Sequence, residues 1–97
     1  MTIIIIHAID NKRLLRFTYR GYARVVEPHT YGIHKKTLRA LVAFQVRGGS
    51  NSGQPEGWKT FNESEIRALS MLEEAFAGPR PDYRKNDPFF ESIIAQL

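Results

Sequence analysis

Hydrophobic and polar positions alternate with period two over much of the first half of the chain. Leu15, Phe17 and Tyr19 fall on one side of Leu14–Arg20, because successive strand side chains point to opposite faces. Tyr22–Glu27 follows with Arg24 and Val26 in step, and only Arg20-Gly21 separates the two runs. A residue-glycine pair between β-rich runs predicts a tight hairpin, since such turns need positive φ and glycine adopts it without a Cβ clash. Pro28 has no N–H to give a ladder and marks an edge, a bulge or a bend. The chain resumes at His29–Ile33, turns through His34-Lys35-Lys36 and enters Thr37–Val46. There Leu38, Ala40, Val42, Phe44 and Val46 share one face. Thr37, Arg39, Leu41, Ala43, Gln45 and Arg47 share the other, which predicts a half-buried strand with a mixed second face. Trp58–Phe61 predicts a further short strand.

The two ends and the region after residue 61 follow other periods. Ile3–Asn11 reads both ways: four consecutive isoleucines favour a strand, while Ile5, Ile6 and Ile9 make a helical stripe. Thr2 as a cap and Asp10-Asn11 as a stop favour a short helix lying against the sheet. In Asn62–Phe76, Asn62 and Glu65 have capping-box spacing, and Ile66, Leu69, Leu72 and Phe76 continue a helical stripe. Near the end, Asp87-Pro88 resembles a cap with proline at the first helical position. Phe90, Ile93, Ile94 and Leu97 then share one face of a helix over Phe89–Leu97. A helix this short is marginal alone, so it must dock on its own sheet, on a second copy or on another protein.

Length bounds the chain to one small domain of 97 residues. With 42% hydrophobic and 25% charged residues, a core forms without cross-links, and with no cysteine there is no disulfide, zinc-thiolate or thiol chemistry. That fits a reducing, cytoplasmic setting. No apolar run approaches the ~18 residues that would indicate a membrane span. Gly48–Gly57 is poor in hydrophobics and rich in Gly and Ser, which predicts a mobile loop inside the domain rather than a boundary. Gly78–Asp87 is a proline-rich basic linker. The expected organisation is a β domain over residues 1–77, then the linker and C-terminal helix over 78–97. The net charge of +4 favours anionic partners only if the cations cluster; otherwise it serves solubility. No nucleotide-loop, zinc-helix or calcium-loop motif is present, so no cofactor is expected.

The order of these segments resembles the WYL domain, a bacterial regulatory module. The residues that carry the resemblance are Ala8-Ile9, Tyr19, Arg24-Val25-Val26-Glu27-Pro28-His29 and Lys59-Thr60-Phe61, together with the spacing of Ile66, Leu72 and Phe76. It covers about Ala8 to Phe76. It implies a mainly β fold, a small Sm-like, SH3-type barrel of about five strands. It also implies that Asn62–Phe76 is one helical turn followed by a last strand near Arg67–Leu72. The naming Trp-Tyr-Leu tripeptide is absent, with Leu38-Arg39-Ala40-Leu41 near its place. Ser64-Glu65-Ile66 stands where the family often has Asp-Arg-Ile, so Glu65 replaces a basic ligand-contacting position. The usual DNA-binding helix-turn-helix is not expected beside so short a domain. The resemblance implies a stand-alone sensor for transcription regulation, binding nucleic acid or a nucleotide-like ligand.

The candidate site is Tyr19, Arg24, His29, Tyr31, Arg39, Lys59 and Phe61, expected to converge on one cleft. Arg and Lys neutralise phosphate, and Tyr31, Trp58 or Phe61 offer a stacking surface for a base of single-stranded nucleic acid. Against this stand ordinary structural roles. Phe17, Phe44, Trp58 and Phe61 are core formers, Arg24 can pair with Glu27 or another acid, and Arg39 and Arg47 can blunt a strand edge. His29 and His34 lack a third ligand at metal spacing. No serine lies in a nucleophile elbow and no carboxylate pair has argued geometry, so no enzyme is expected. The alternative function is a protein-interaction adaptor that forms a homodimer or recruits a partner through its C-terminal helix.

Overall fold

The computed structural model describes residues 1–97 and is mainly β. Helix α1 spans Thr2–Asp10, and six strands follow: β1 Arg13–Tyr19, β2 Tyr22–Lys35, β3 Leu38–Gly48, β4 Gly57–Asn62, β5 Ile66–Ala75 and β6 Ser92–Gln96. A single 3-10 turn, Glu63–Glu65, joins β4 to β5. The strands form one antiparallel sheet in the order β4-β3-β2-β1-β5, with β6 added to β2.

The hairpin forms as its residues demand. Tyr19 pairs with Tyr22, and both turn residues have positive φ, +49° at Arg20 and +83° at Gly21. This is the twist-matched two-residue turn that joins right-handed strands. Strand β2 is the spine. One edge pairs with β3 along nearly its whole length. The other edge is shared: β1 pairs up to Val26, and β6 takes over from Thr30. Pro28 sits at the handover, beside a register shift in the β2–β3 ladder. A residue with no N–H is tolerated there because neither neighbour needs one.

The C-terminal helix is corrected to strand β6. Its apolar residues do have helical spacing, but nine residues gain too little from local hydrogen bonds to hold a helix. The open edge of β2 from Thr30 to Ile33 offers main-chain partners instead, and Glu91 N–H and Leu97 N–H extend the pairing to Ile33 O and His29 O. Gly32 permits the approach, since a Cβ there would lie 2.3 Å from Ser92 O. An adaptor helix therefore does not exist in this fold.

Two further expectations change. The sheet has six strands rather than about five and is open, for no ladder joins β4 to β5. Strand β4 ends at Asn62, and after the turn β5 pairs with β1 alone, diverted by bulges that include Ala68 at φ +55°. On β3 the deeper face is the mixed one: Leu41, Ala43 and Gln45 are buried, while Val42, Phe44 and Val46 are only half-buried. The helix and the rings of β1 and β4 lie on that face and decide the matter.

The remaining end elements follow expectation in kind. The isoleucine-rich segment is helical, ends at Asp10 and buries Ile5, Ala8 and Ile9. Thr2 does not cap it; its hydroxyl bonds Tyr31 instead. The capping-box residues close over one turn only, with Asn62 Nδ2 donating to Glu65, and Ile66 then starts β5. The core joins Ile5, Ala8 and Ile9 to Leu15, Phe17, Tyr19, Val26, Tyr31, Leu41, Ala43, Phe61 and Ile66. At its centre Phe61 meets Phe17 and Tyr19 edge-on at 4.9 Å between ring centres, the favoured aromatic geometry.

Candidate functional site

The seven expected site residues do not share one cleft. They divide into three places. Tyr19, Arg24, Lys59 and Phe61 line a small cleft of about 200 Å³ between the hairpin turn, β4 and the β3–β4 loop. Tyr31 and Arg39 lie at the far side of the Glu63–Glu65 turn. His29 is buried beneath the linker.

The first place is the most open to chemistry. Arg24 is 4% exposed, yet no carboxylate faces it. Its Nη2 donates to Tyr19 O at 3.2 Å and to Asn51 Oδ1 at 3.0 Å, Nη1 donates to Gln45 Oε1 at 3.4 Å, and Nε has no partner. The guanidinium carbon sits 5.3 Å from the Tyr19 ring centre and 5.5 Å from that of Phe61. Burial pushes its pKa down, the fields of the Tyr19 and Tyr22 hydroxyls oppose this, and nearby Arg20 adds to it. Lys59 reaches Ser50 Oγ at 3.3 Å, Ser52 Oγ at 3.2 Å and the Gln54 carbonyl. The glycine-serine loop, expected to be mobile, is thus tied down by Lys59, by Arg24 through Asn51, and by Gln45 donating to Gly49 O. Arg20 completes the cleft but is paired with Glu65 through two hydrogen bonds of 2.9 and 3.1 Å. Arg20, then Asn62, then Tyr19 hold the Glu65 carboxyl down at about 2.

The second place is a polar knot. Tyr31 hydroxyl donates to Glu63 Oε2 at 2.8 Å and lies 2.9 Å from Thr2 Oγ1, while Arg39 Nη1 donates to Thr2 Oγ1 at 3.0 Å. Burial, reinforced by Glu63, outweighs the Thr2 and Arg39 bonds and raises the Tyr31 pKa. The Tyr31 ring is wholly buried, so it is core and not a stacking platform. The same holds for Phe61, at 1% exposure.

The third place removes His29 from any anion site. Its ring is fully buried among Trp58, Phe76 and Tyr83. Nε2 accepts the Arg80 N–H at 3.1 Å, so Nδ1 carries the proton and donates to Glu27 O at 2.8 Å. Burial keeps the imidazole pKa below its ordinary 6.5, against the pull of Glu27. Arg24 does not pair with Glu27; Arg80 does, at 2.7 and 2.9 Å.

Sequence reasoning missed Arg20, Asn51, Ser50 and Ser52 in the cleft, and the pairing of Glu27 with Arg80 on the opposite face of β3. The loop's Gly-Ser composition signals a phosphate-compatible backbone, but nothing local says it folds back onto Lys59. No group of three His, Asp or Glu residues is placed to hold a metal ion. No helix is long and apolar enough to cross a membrane. Comparison of the chain with family models, curated proteins and solved structures finds no match.

Proposed function

We propose that the chain is a regulatory sensor domain of the WYL type, its sheet an open counterpart of the Sm-like barrel. Its ligand is a nucleotide-like anion or the phosphate of a single-stranded nucleic acid, held in the Arg24–Lys59 cleft. The observation that carries this reading is Arg24, a buried guanidinium with an unpartnered Nε–H and no carboxylate in reach. Burying a charge without an opposite one is costly, and an entering phosphate relieves that cost. Lys59, held by two serine hydroxyls and a carbonyl but by no carboxylate, supplies a second positive charge at the same opening. The departure at Glu65 fits as well, because it neutralises Arg20 and leaves Arg24 and Lys59 as the cations available.

Fluorescence anisotropy with labelled single-stranded oligonucleotides and a labelled nucleotide tests the reading. Binding is expected at low salt and weakens as salt rises, because phosphate contacts release counterions. Arg24→Gln with Lys59→Gln is expected to weaken it by about tenfold or more, the scale of losing charge-assisted bonds. Arg39→Gln, in a separate cleft, leaves it unchanged. Absence of binding at low salt, or equal binding by the double variant, overturns the proposal.

A further inference from the structure

On the other face of β3 the linker is not a loose tether. Pro79-Arg80-Pro81 lies in a groove built by side chains of β2, β3 and β4. Arg80 places Nε and Nη2 on the two carboxylate oxygens of Glu27, whose side chain is 8% exposed. Its guanidinium carbon stands 4.5 Å from the centre of the Phe44 ring. Trp58 Nε1 donates to Pro81 O at 3.0 Å, and His29 Nε2 accepts the Arg80 N–H. These are three fixed polar anchors and one aromatic wall, directed at three residues of irregular backbone.

Such a set reads a short extended peptide rather than a sheet edge. The prolines favour extended backbone up to Arg80 and then a turn at Pro81-Asp82, where Tyr83 N–H donates to Arg80 O at 3.2 Å and Asp82 has φ +72°; this preset shape lowers the entropy lost on docking. Glu27, Phe44 and Trp58 meet Arg80 and Pro81 from β2, β3 and β4, outside the strap, while Phe76 and Tyr83 beside the strap complete the packing around His29. Open clefts border the strap, one of about 620 Å³ between Phe76–Arg80 and Glu27 and Arg47, and another of about 230 Å³ between Trp58 and Asp82-Tyr83.

We propose that this groove is a recognition site for an arginine-between-prolines segment of another protein, and that Pro79-Arg80-Pro81 is its built-in competitor. The acids that meet the incoming arginine are Glu27 and, at longer range, Glu56. A segment of another protein is the fitting occupant because only the strap must lift. Exchange between two copies of this chain would also open the β2–β6 ladder and the Tyr83–Leu97 hydrogen bond of 2.9 Å.

The test uses the full chain and a synthetic peptide, AGPRPDYRKN, which repeats residues 77–86. Trp58 is the single tryptophan, so its fluorescence reports the groove. Arg80→Ala vacates Glu27 and the Phe44 wall and weakens the strap, while Trp58 and His29 stay on its backbone groups until it lifts. This variant is expected to bind the peptide at least about tenfold more tightly than the wild-type chain, whose own strap acts at millimolar effective concentration. Replacing the peptide arginine with alanine, or adding Glu27→Gln to the chain, is expected to abolish the response. No response from folded Arg80→Ala at millimolar peptide, or an equal response to the arginine-free peptide, overturns the proposal. If Arg80→Ala does not fold, the wild-type chain is titrated with peptide to millimolar and the Trp58 indole N–H resonance followed. A shift that requires the peptide arginine supports the proposal, and its absence overturns it. A wild-type dimer in sedimentation that the peptide disperses assigns the groove to a second copy and overturns it too.

Discussion

Two arginines lie against opposite faces of β3, and each rests on aromatic rings. Arg24 touches Gln45 and stands over Tyr19 and Phe61, while Arg80 stands over Phe44. They differ in what neutralises them. Arg80 is met by both oxygens of a buried carboxylate, and Arg24 by amide and carbonyl dipoles alone. A matched guanidinium holds structure, here the strap. An unmatched one in a nearly closed place leaves electrostatic potential for a ligand to use.

The sharpest way to break the comparison is at the floor of the Arg24 cleft. Phe61→Ala is expected to cost ~3–5 kcal/mol in a denaturant titration, the range for emptying a buried aromatic site. A cost under ~1 kcal/mol would mean that the ring serves the cleft and not the core. Next comes the pair itself. Arg80→Ala strands Glu27, and about 1–3 kcal/mol is expected, below the fully buried case because the Arg80 side chain is 40% exposed. Arg24→Met removes a charge that lacks a counter-ion, so stability should stay within ~1 kcal/mol or rise. Equal losses in the two variants would erase the distinction between the arginines.

A pH titration of unfolding sharpens the strap side. Burial holds the folded His29 pKa below the unfolded 6.5, so the unfolded chain takes up a proton first as pH falls. His29 therefore adds stability that is full above pH 6.5 and is lost as pH falls through the folded pKa. Protonation would also put a second N–H against the Arg80 N–H. Urea midpoints from pH 7.5 to 5 should fall in the wild-type chain and flatten in His29→Gln. The Glu65 carboxyl, held at about 2, stays ionised in the folded chain across this window. The smallest effect belongs to Glu65→Gln, which frees Arg20. Unfolding midpoints should not move measurably, since the pair is solvent-exposed, while anion binding tightens severalfold at low salt and not at high salt. Unchanged binding at low salt would remove Arg20 from the cleft's field.

Much of the hairpin was legible because its determinants are local. Leu15, Phe17 and Tyr19 alternate, and Arg20-Gly21 supplies the backbone the turn requires. The helix at Thr2–Asp10 was legible for a similar reason, once its stop signal outweighed the strand propensity of isoleucine. Residues 89–97 were misread because helical spacing in so short a segment is weaker than an open strand edge sixty residues away. The site was legible as a list of residue types but not as a place. Arg24 and Lys59 do meet, yet His29, Tyr31 and Arg39 part from them.

By itself the sequence determined where the chain must turn, which segments alternate, and that one small β-rich body without cross-links would form. Those are consequences of φ preferences and of side-chain periodicity over a few residues. The partner of each charge was decided only in three dimensions. Glu27 and Arg80 are 53 positions apart, and Lys59 finds its serines only after a loop folds back. Pairing depends on which groups burial brings within hydrogen-bonding reach, and no local pattern encodes that distance.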